Sequence, residues 1–335
     1  MKTIKLHYTD MWGTFDPLAP SQIDRILRKH FHVVLTDQDP DYVICSVFGD
    51  GATRRRGVRL REHHLYPDAI KIMYSGENTL PDLNFCDYGI GFDHLVLGDR
   101  YQRVPLFAMN DGYQALLQPR APLTRDDITS SVEFCNFTFT NNMAMPARDQ
   151  FFHLLNDRKP VLSTGRHLRN SDALDLHQQQ TGLDPQQAKT DFLARFKFTI
   201  AFENSSHPGY TTEKVMDPLV ARSVPIYLGN PRIADDFNTA AFINGHDFPS
   251  LDALADEVMR IDADDAAYLA ILNAPPLPPG QREEPHLCAL ERFLLQIFTP
   301  PKAEAQRRQR YGWIGRIDDE YSAYRRRRTR RWRWF

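Results

Sequence analysis

Long apolar runs are absent from this 335-residue chain. None approaches the ~18 residues needed to span a bilayer, which argues against a membrane-spanning helix. The opening Met-Lys-Thr-Ile-Lys-Leu-His-Tyr reads as a strand and has no apolar segment of the signal-peptide kind, so a cytoplasmic protein is expected. Cysteine is scarce. Cys45, Cys86, Cys135 and Cys288 are scattered without Cys-x-x-Cys spacing, so reduced, mostly buried thiols are expected rather than a disulfide framework or a zinc site. Metal patterns are equally thin. His63-His64 lacks a third ligand at usable spacing, and the pairs Asp235-Asp236 and Asp264-Asp265 read as solvated charge. No required metal is expected, and no internal repeat is found.

What is present is ordinary core material with an uneven charge. Hydrophobic residues make up 42% and charged residues 25%, as in a soluble globular protein, and the length suits two domains. The net charge of −2 hides an asymmetry. Residues 300–335 hold twelve Lys/Arg against four Asp/Glu, so the rest of the chain is acidic and does not suit specific nucleic-acid binding. The last stretch, Arg325–Phe335, mixes cations with Trp332, Trp334 and Phe335. Each cation near an anionic leaflet contributes about 1 kcal/mol, and Trp favours the interface. Peripheral attachment to the inner membrane is therefore expected, against the blander alternatives of nonspecific nucleic-acid contact or a solubility tail.

Short apolar runs at 3–8, 33–36, 42–47, 70–74 and 88–92 read as strands, and Ser21 with Asp24 marks a helix start ahead of Ile23, Ile26 and Leu27. A second set of strands falls at 134–140, 161–163, 198–202, 224–228 and 241–243. Helices fall near 146–156, 185–195, 212–222 and 251–261, with Pro146 and Pro185 in first turns. Strands alternating with helices imply parallel sheets covered on both faces. The proline-flanked, polar stretch 118–131 is the best linker candidate. The expected division is thus a domain at 1–120, a linker at 121–131, a domain at 132–299 and a helical, basic tail at 300–335.

The most informative segment is 198–230. The strand Phe198–Phe202 ends in Glu203-Asn204, a loop with Pro208 and Gly209 follows, Thr211-Thr212-Glu213-Lys214 opens a helix, and Val224–Leu228 closes the unit. Strand, loop, helix, strand is how an α/β protein aims backbone N–H groups at an anion. Lys214 adds a mobile ammonium suited to a diphosphate, and Glu213 can accept bonds from sugar hydroxyls. Pro218, about six residues into the helix, is expected to kink it. In the first half of the chain Glu77 follows the strand 70–74, where open parallel sheets place their ligands.

This segment resembles the α1,3-motif of the α1,3-fucosyltransferases of glycosyltransferase family 10. Two further blocks are similar to bacterial members: Tyr74-Ser75-Gly76-Glu77-Asn78 with Phe85–Asp93 and Asp99-Arg100-Tyr101, and Gly165-Arg166-His167-Leu168-Arg169-Asn170. The resemblance implies the GT-B-type α/β fold: two doubly wound, Rossmann-like domains facing a cleft, with a basic C-terminal tail. It implies inverting transfer of L-fucose from GDP-fucose to the 3-hydroxyl of GlcNAc in a Galβ1-4GlcNAc-type glycan or glycolipid, as in lipopolysaccharide Lewis-type antigen synthesis. No cofactor beyond the donor substrate is implied. Glu77 takes the position of the catalytic base. Arg169, with Arg166 as its rival, and Lys214 take the phosphate positions, while Asn204, Tyr210 and Glu213 take donor-site positions. Glu203 is bound into the motif, with ligand and structural roles both open. Acceptor choice is expected to lie in the loop 50–66, with Arg54-Arg55-Arg56 and His63-His64. The alternatives are a fucosyltransferase of other linkage (α1,4) or acceptor, and a non-catalytic nucleotide-binding protein recruited to membranes by its tail.

Overall fold

Short apolar strands alternating with helices build two all-parallel sheets in the computed structural model, which describes residues 1–19, 21–49, 61–128, 133–278 and 285–309, with scattered residues as far as 323. The first unit comprises Met1–Val104 and the described residues from Pro285 onward. Its strands are β1 (Thr3–Thr9), β2 (His32–Leu35), β3 (Tyr42–Cys45), β4 (Ile70–Tyr74), β5 (Tyr88–Gly91) and β6 (Tyr101–Arg103), in the order β2-β1-β3-β4-β5-β6. Strands β3, β4 and β5 are buried along their whole length, the pattern of a sheet covered on both faces. Helix α1 (Gln22–His30) begins with the expected capping box, in which Ser21 and Asp24 satisfy each other's backbone N–H groups. The Asp24 carboxylate also accepts from the Tyr8 hydroxyl at 2.8 Å, tying the helix to β1.

The second unit, Pro105–Glu284, carries β7 (Glu133–Phe137), β8 (Leu162–Ser163), β9 (Phe196–Phe202), β10 (Val224–Leu228) and β11 (Ile243–Asn244), in the order β11-β10-β9-β7-β8. Its helices are α2 (Tyr113–Leu116), α3 (Arg125–Ile128), α4 (Ala147–Arg158), α5 (Ala173–Thr181), α6 (Pro185–Leu193), α7 (Glu213–Ala221), α8 (Leu251–Asp262) and α9 (Asp265–Leu272). Phenylalanines dominate its core, including a stacked pair, Phe151 and Phe202, at 5.0 Å. In both sheets the first strand lies between the second and third, so crossovers leave it in opposite directions. Ligand crevices form outside the carboxyl ends of strands at such switch points. In the second unit that point lies beyond β7 and β9.

The domain boundaries differ from those expected. The stretch 118–128 is pinned to the second unit. Arg120 donates to the Leu219 carbonyl, Arg222 to that of Ala121, and Leu123 and Asn273 exchange two bonds of 2.8 Å. Residues 105–120 likewise belong to this unit, where Phe107 packs on Phe237 at 4.7 Å. The chain then returns to the first unit. Helix α10 (Pro285–Phe298) buries Leu290, Phe293, Leu294, Ile297 and Phe298, and Phe298 lies 4.3 Å from Tyr42. After α11 (Lys302–Ala305) the buried Asp87 carboxylate accepts from the backbone of Arg307 and Arg308 and from Arg308 Nε, each at 2.8 Å. The start of the basic tail is therefore part of a domain, held by an ion pair that is almost wholly buried. The run Arg325–Phe335 lies outside the described residues, as does Arg54-Arg55-Arg56. No helix among the described residues is long and apolar enough to cross a membrane. All four cysteines are free thiols, three of them buried.

His63 and His64 are both buried, which removes them from the expected acceptor-choosing surface. Asp10, in the left-handed region at φ 55°, turns its carboxylate onto the Glu62 and His63 backbone N–H groups and onto His63 Nδ1 at 2.9 Å. His64 meets Phe85 edge-on. Burial outweighs the attraction of Asp10 and brings the His63 pKa down from 6.5 to about 4. The unfolded chain therefore takes up a proton between those values that the folded chain does not, and stability rises with pH across that window. Urea unfolding should show a loss on the order of 3 kcal/mol on acidifying from pH 7 to pH 4 from this group. Replacing His63 with Asn, which keeps a donor for Asp10, should flatten that dependence; an unaltered profile would show that His63 is not its source.

Candidate active site

The carboxyl end of β9 carries the candidate site. Phe198, Ile200, Ala201 and Phe202 bury their side chains in the sheet, and the next residue, Glu203, is a fully buried carboxylate. Thr212 satisfies it from the far end of the loop. Its N–H donates to Oε1 at 2.8 Å and its hydroxyl lies 3.0 and 2.8 Å from the two carboxylate oxygens. Thr212 is at the same time the N-cap of α7, so one residue closes the loop and opens the helix. Asn230 braces the middle of the loop. Its Oδ1 accepts from the N–H of Gly209, whose φ of +83° favours glycine, and its Nδ2 donates to Thr211. Gly229 permits the close approach: a Cβ there would lie 2.4 Å from Glu203 Cγ.

Lys214 follows in the first turn of α7. Its Nζ lies 3.4 Å from Glu203 Oε2, 3.4 Å from Glu213 Oε1 and 3.1 Å from the Thr212 hydroxyl. Burial opposes the ammonium, but the carboxylates of Glu203 and Glu213 outweigh it and hold the Lys214 pKa above its ordinary value. Burial likewise opposes the Glu213 carboxylate, yet Lys214 and Lys189 bring its pKa down to about 2. Glu203 moves the other way: burial raises its pKa, with Lys214 pulling against the shift. The cluster thus keeps Lys214 charged and in one place, beside the opening N–H groups of a nine-residue helix, an arrangement that favours an anionic group. Pro218 lies within α7 as the sequence indicates, beyond this turn, and the helix runs through it to Ala221.

Of the sequence-predicted site residues, the structure brings together Lys214, Glu213 and the buried Tyr210, whose ring hydroxyl is close enough to act electrostatically on Lys214. Asn204 adjoins Glu203 and accepts from Arg148. Arg169 is exposed, paired with Asp172 and Asp175 at 2.5 Å, carboxylates that raise its pKa. The loop before it is anchored by Asn170, which accepts from the Ser163 N–H and donates to the Val161 carbonyl. That loop also joins the Asn204 side through His167, whose Nε2 lies 2.8 Å from Asp149. Arg166 is exposed. Glu77 belongs to the first unit. It is exposed just past β4, in a turn where Ser75 donates to the carbonyls of Glu77 and Thr79.

Two residues gain importance only in three dimensions. Glu203 is the internal counter-charge of Lys214. Arg148, in the first turn of α4, is fully buried, and no spacing in the sequence singles it out. Asp37, Asp39 and Asp41, between β2 and β3, have the alternate spacing of some metal motifs. Among the described residues, however, no group of three or more His, Cys, Asp or Glu side chains could hold a metal ion.

Comparison with known proteins bears on the family and the fold. Residues 6–110 match the α-(1,3)-fucosyltransferase FucT N-terminal domain, and residues 130–273 match the C-terminal domain of glycosyltransferase family 10. The α-(1,3)-fucosyltransferase FucT of Helicobacter pylori is 29% identical over 306 residues, which is 82% of this chain and 60% of that protein, so the chain spans less than two thirds of that relative's length. A 4-galactosyl-N-acetylglucosaminide 3-α-L-fucosyltransferase of Pongo pygmaeus is 42% identical over 89 residues, 26% of this chain and 25% of that protein. A crystal structure of an α1,3-fucosyltransferase with GDP superposes with a TM-score of 0.67 at 25% identity, covering 88% of this chain and 91% of that one. With two parallel sheets of the GT-B type and both characteristic domains matched over most of its length, the chain belongs to glycosyltransferase family 10, the fucosyltransferases.

Proposed function

We propose that the protein is an inverting α1,3-fucosyltransferase that moves L-fucose from GDP-fucose to the 3-hydroxyl of GlcNAc in a Galβ1-4GlcNAc-type acceptor. The observation that carries this reading is the Glu203–Thr212–Lys214 cluster, which fixes an ammonium at a helix mouth beyond the end of β9. GDP gains charge as the bond to the sugar breaks, so a cation already in position stabilises the transition state more than the ground state. Lys214 takes that role. Arg169 joins it on the diphosphate by exchanging its present partners, Asp172 and Asp175, for phosphate oxygens. Asn204, Tyr210 and Glu213 line the nucleotide sugar. Glu77 accepts the proton of the acceptor hydroxyl while its oxygen attacks the anomeric carbon, and the electron pair of the breaking bond leaves on the diphosphate. Side chains supply all the positive charge in this reading, with no metal required.

The acceptor assignment is supported by the relative from Pongo pygmaeus, whose name specifies a 4-galactosyl-N-acetylglucosaminide acceptor. Lipopolysaccharide carrying Lewis-type structures is the substrate class in which a bacterial-type enzyme meets this unit, and Arg325–Phe335 would hold the protein at the anionic leaflet where it is assembled. Cell fractionation after deletion of residues 325–335 tests that attachment: release into the soluble fraction is expected, and unchanged partitioning would end it.

Incubation with GDP-fucose and N-acetyllactosamine, with product linkage assigned by NMR, tests the reaction itself. An α1,3 product is expected, with Glu77→Gln lowering kcat by about 10²-fold or more at unchanged KM for GDP-fucose. An α1,4 product would replace the linkage, and full activity of a folded Glu77→Gln enzyme would remove Glu77 as the base.

A further inference from the structure

Arg148 is a fully buried guanidinium without a carboxylate at hydrogen-bond distance. The Asp149 Oδ1 atom is 3.7 Å from Nε, and Nε itself has no hydrogen-bond partner. The plane of the side chain lies over Phe139 at 4.4 Å from the ring centroid. Nη2 donates to the Asn141 carbonyl, and Nη1 donates to Asn204 Oδ1 at 3.1 Å. As a device for stability this is a poor choice. A buried cation with an unmet donor is costly, and an apolar side chain of the same volume would pack on Phe139 without that penalty.

What the guanidinium provides is direction. Arginine has five N–H donors and no acceptor, so only the Oδ1 end of the Asn204 amide can face it. The opposite end, Nδ2, is thereby left as a donor, and it makes no bond within the described residues. The backbone fixes the same geometry from the other side: Met145 N–H donates to the Asn204 carbonyl at 2.8 Å and Arg148 N–H donates to the Met145 carbonyl at 3.1 Å. An asparagine without such a partner could present either end of its amide. We infer that Arg148 is a positioning residue for fucosyl transfer, holding Asn204 so that its amide presents a hydrogen-bond donor to the nucleotide sugar. This rests on the placement of Asn204 at the donor proposed above.

A mutant cycle separates the two. Steady-state kcat/KM for GDP-fucose and the thermal transition are measured for Asn204→Ala, Arg148→Met, Arg148→Lys and the Arg148→Met/Asn204→Ala double variant. Loss of one oriented hydrogen bond at the donor should lower kcat/KM about tenfold. Arg148→Met should lose about as much as Asn204→Ala, and the double variant no more than either alone, because both remove the same interaction. Arg148→Lys, which keeps a charge and a donor, should recover part of the loss. Should Arg148→Met fail to fold, the cycle of Arg148→Lys with Asn204→Ala reads the same coupling. An unchanged kcat/KM in Asn204→Ala would remove Asn204 from the donor site and the inference with it. If Asn204→Ala loses activity while a folded Arg148 variant loses none, or if the two losses multiply, Arg148 is structural only and the inference alone fails.

Discussion

A carboxylate with no access to water organises the second unit. Glu203 sits at the end of a central strand, where burial disfavours its charge, and three partners oppose that effect: the Thr212 N–H, the Thr212 hydroxyl and the Lys214 ammonium. Those partners come from the far side of a loop of eight residues. Satisfying Glu203 therefore closes the loop, sets the start of α7 and fixes where Lys214 can reach. Buried ion pairs contribute little net stability against apolar replacements, so the gain here is geometric. A cation whose rotamers are already restricted loses less entropy when a diphosphate arrives.

The surrounding architecture makes that cluster possible. Parallel strands leave all their carboxyl ends on one edge of the sheet, and the β8-β7-β9 order opens a switch point there. Three loops at this edge are wired together by Asn204, Arg148, Asp149 and His167, so the loop bearing Arg169 is linked to the one bearing Lys214. Arg169 itself is engaged with Asp172 and Asp175, exposed pairs of the kind that contribute little and exchange readily. Its availability to a phosphate thus costs the folded protein almost nothing, in contrast to Lys214, whose partners Glu203 and Thr212 are buried.

Much of this was legible in the chain. The strands Ile70–Tyr74 and Val224–Leu228 occur with the bounds that their apolar runs indicate, and the Ser21–Asp24 capping box formed as its spacing requires. Local signals of this kind depend on neighbours in sequence. What escaped depends on neighbours in space. The return of α10 to the first unit is decided by Phe298 meeting Tyr42 and by Arg308 meeting Asp87, contacts between residues more than two hundred positions apart. The stretch 118–128 has the composition of a linker but finds carbonyl and amide partners along its length, so proline content misled there. Strand β6, only three residues long, has too short a pattern to recognise. His63 and His64 look like an exposed polar pair until Asp10 and Phe85 cover them. Arg148 looks like any helix-surface arginine, and only the burial of its helix face reveals it.

The central claim is that Lys214, held by Glu203, is the cation that receives the diphosphate. Isothermal titration of GDP against the protein and a Lys214→Met variant tests it most directly, with no dependence on the acceptor. A charge-assisted bond lost at that position predicts a Kd raised roughly 10- to 100-fold, together with a lower melting temperature because Glu203 loses a partner. Equal GDP affinity in a folded Lys214→Met protein would contradict the account.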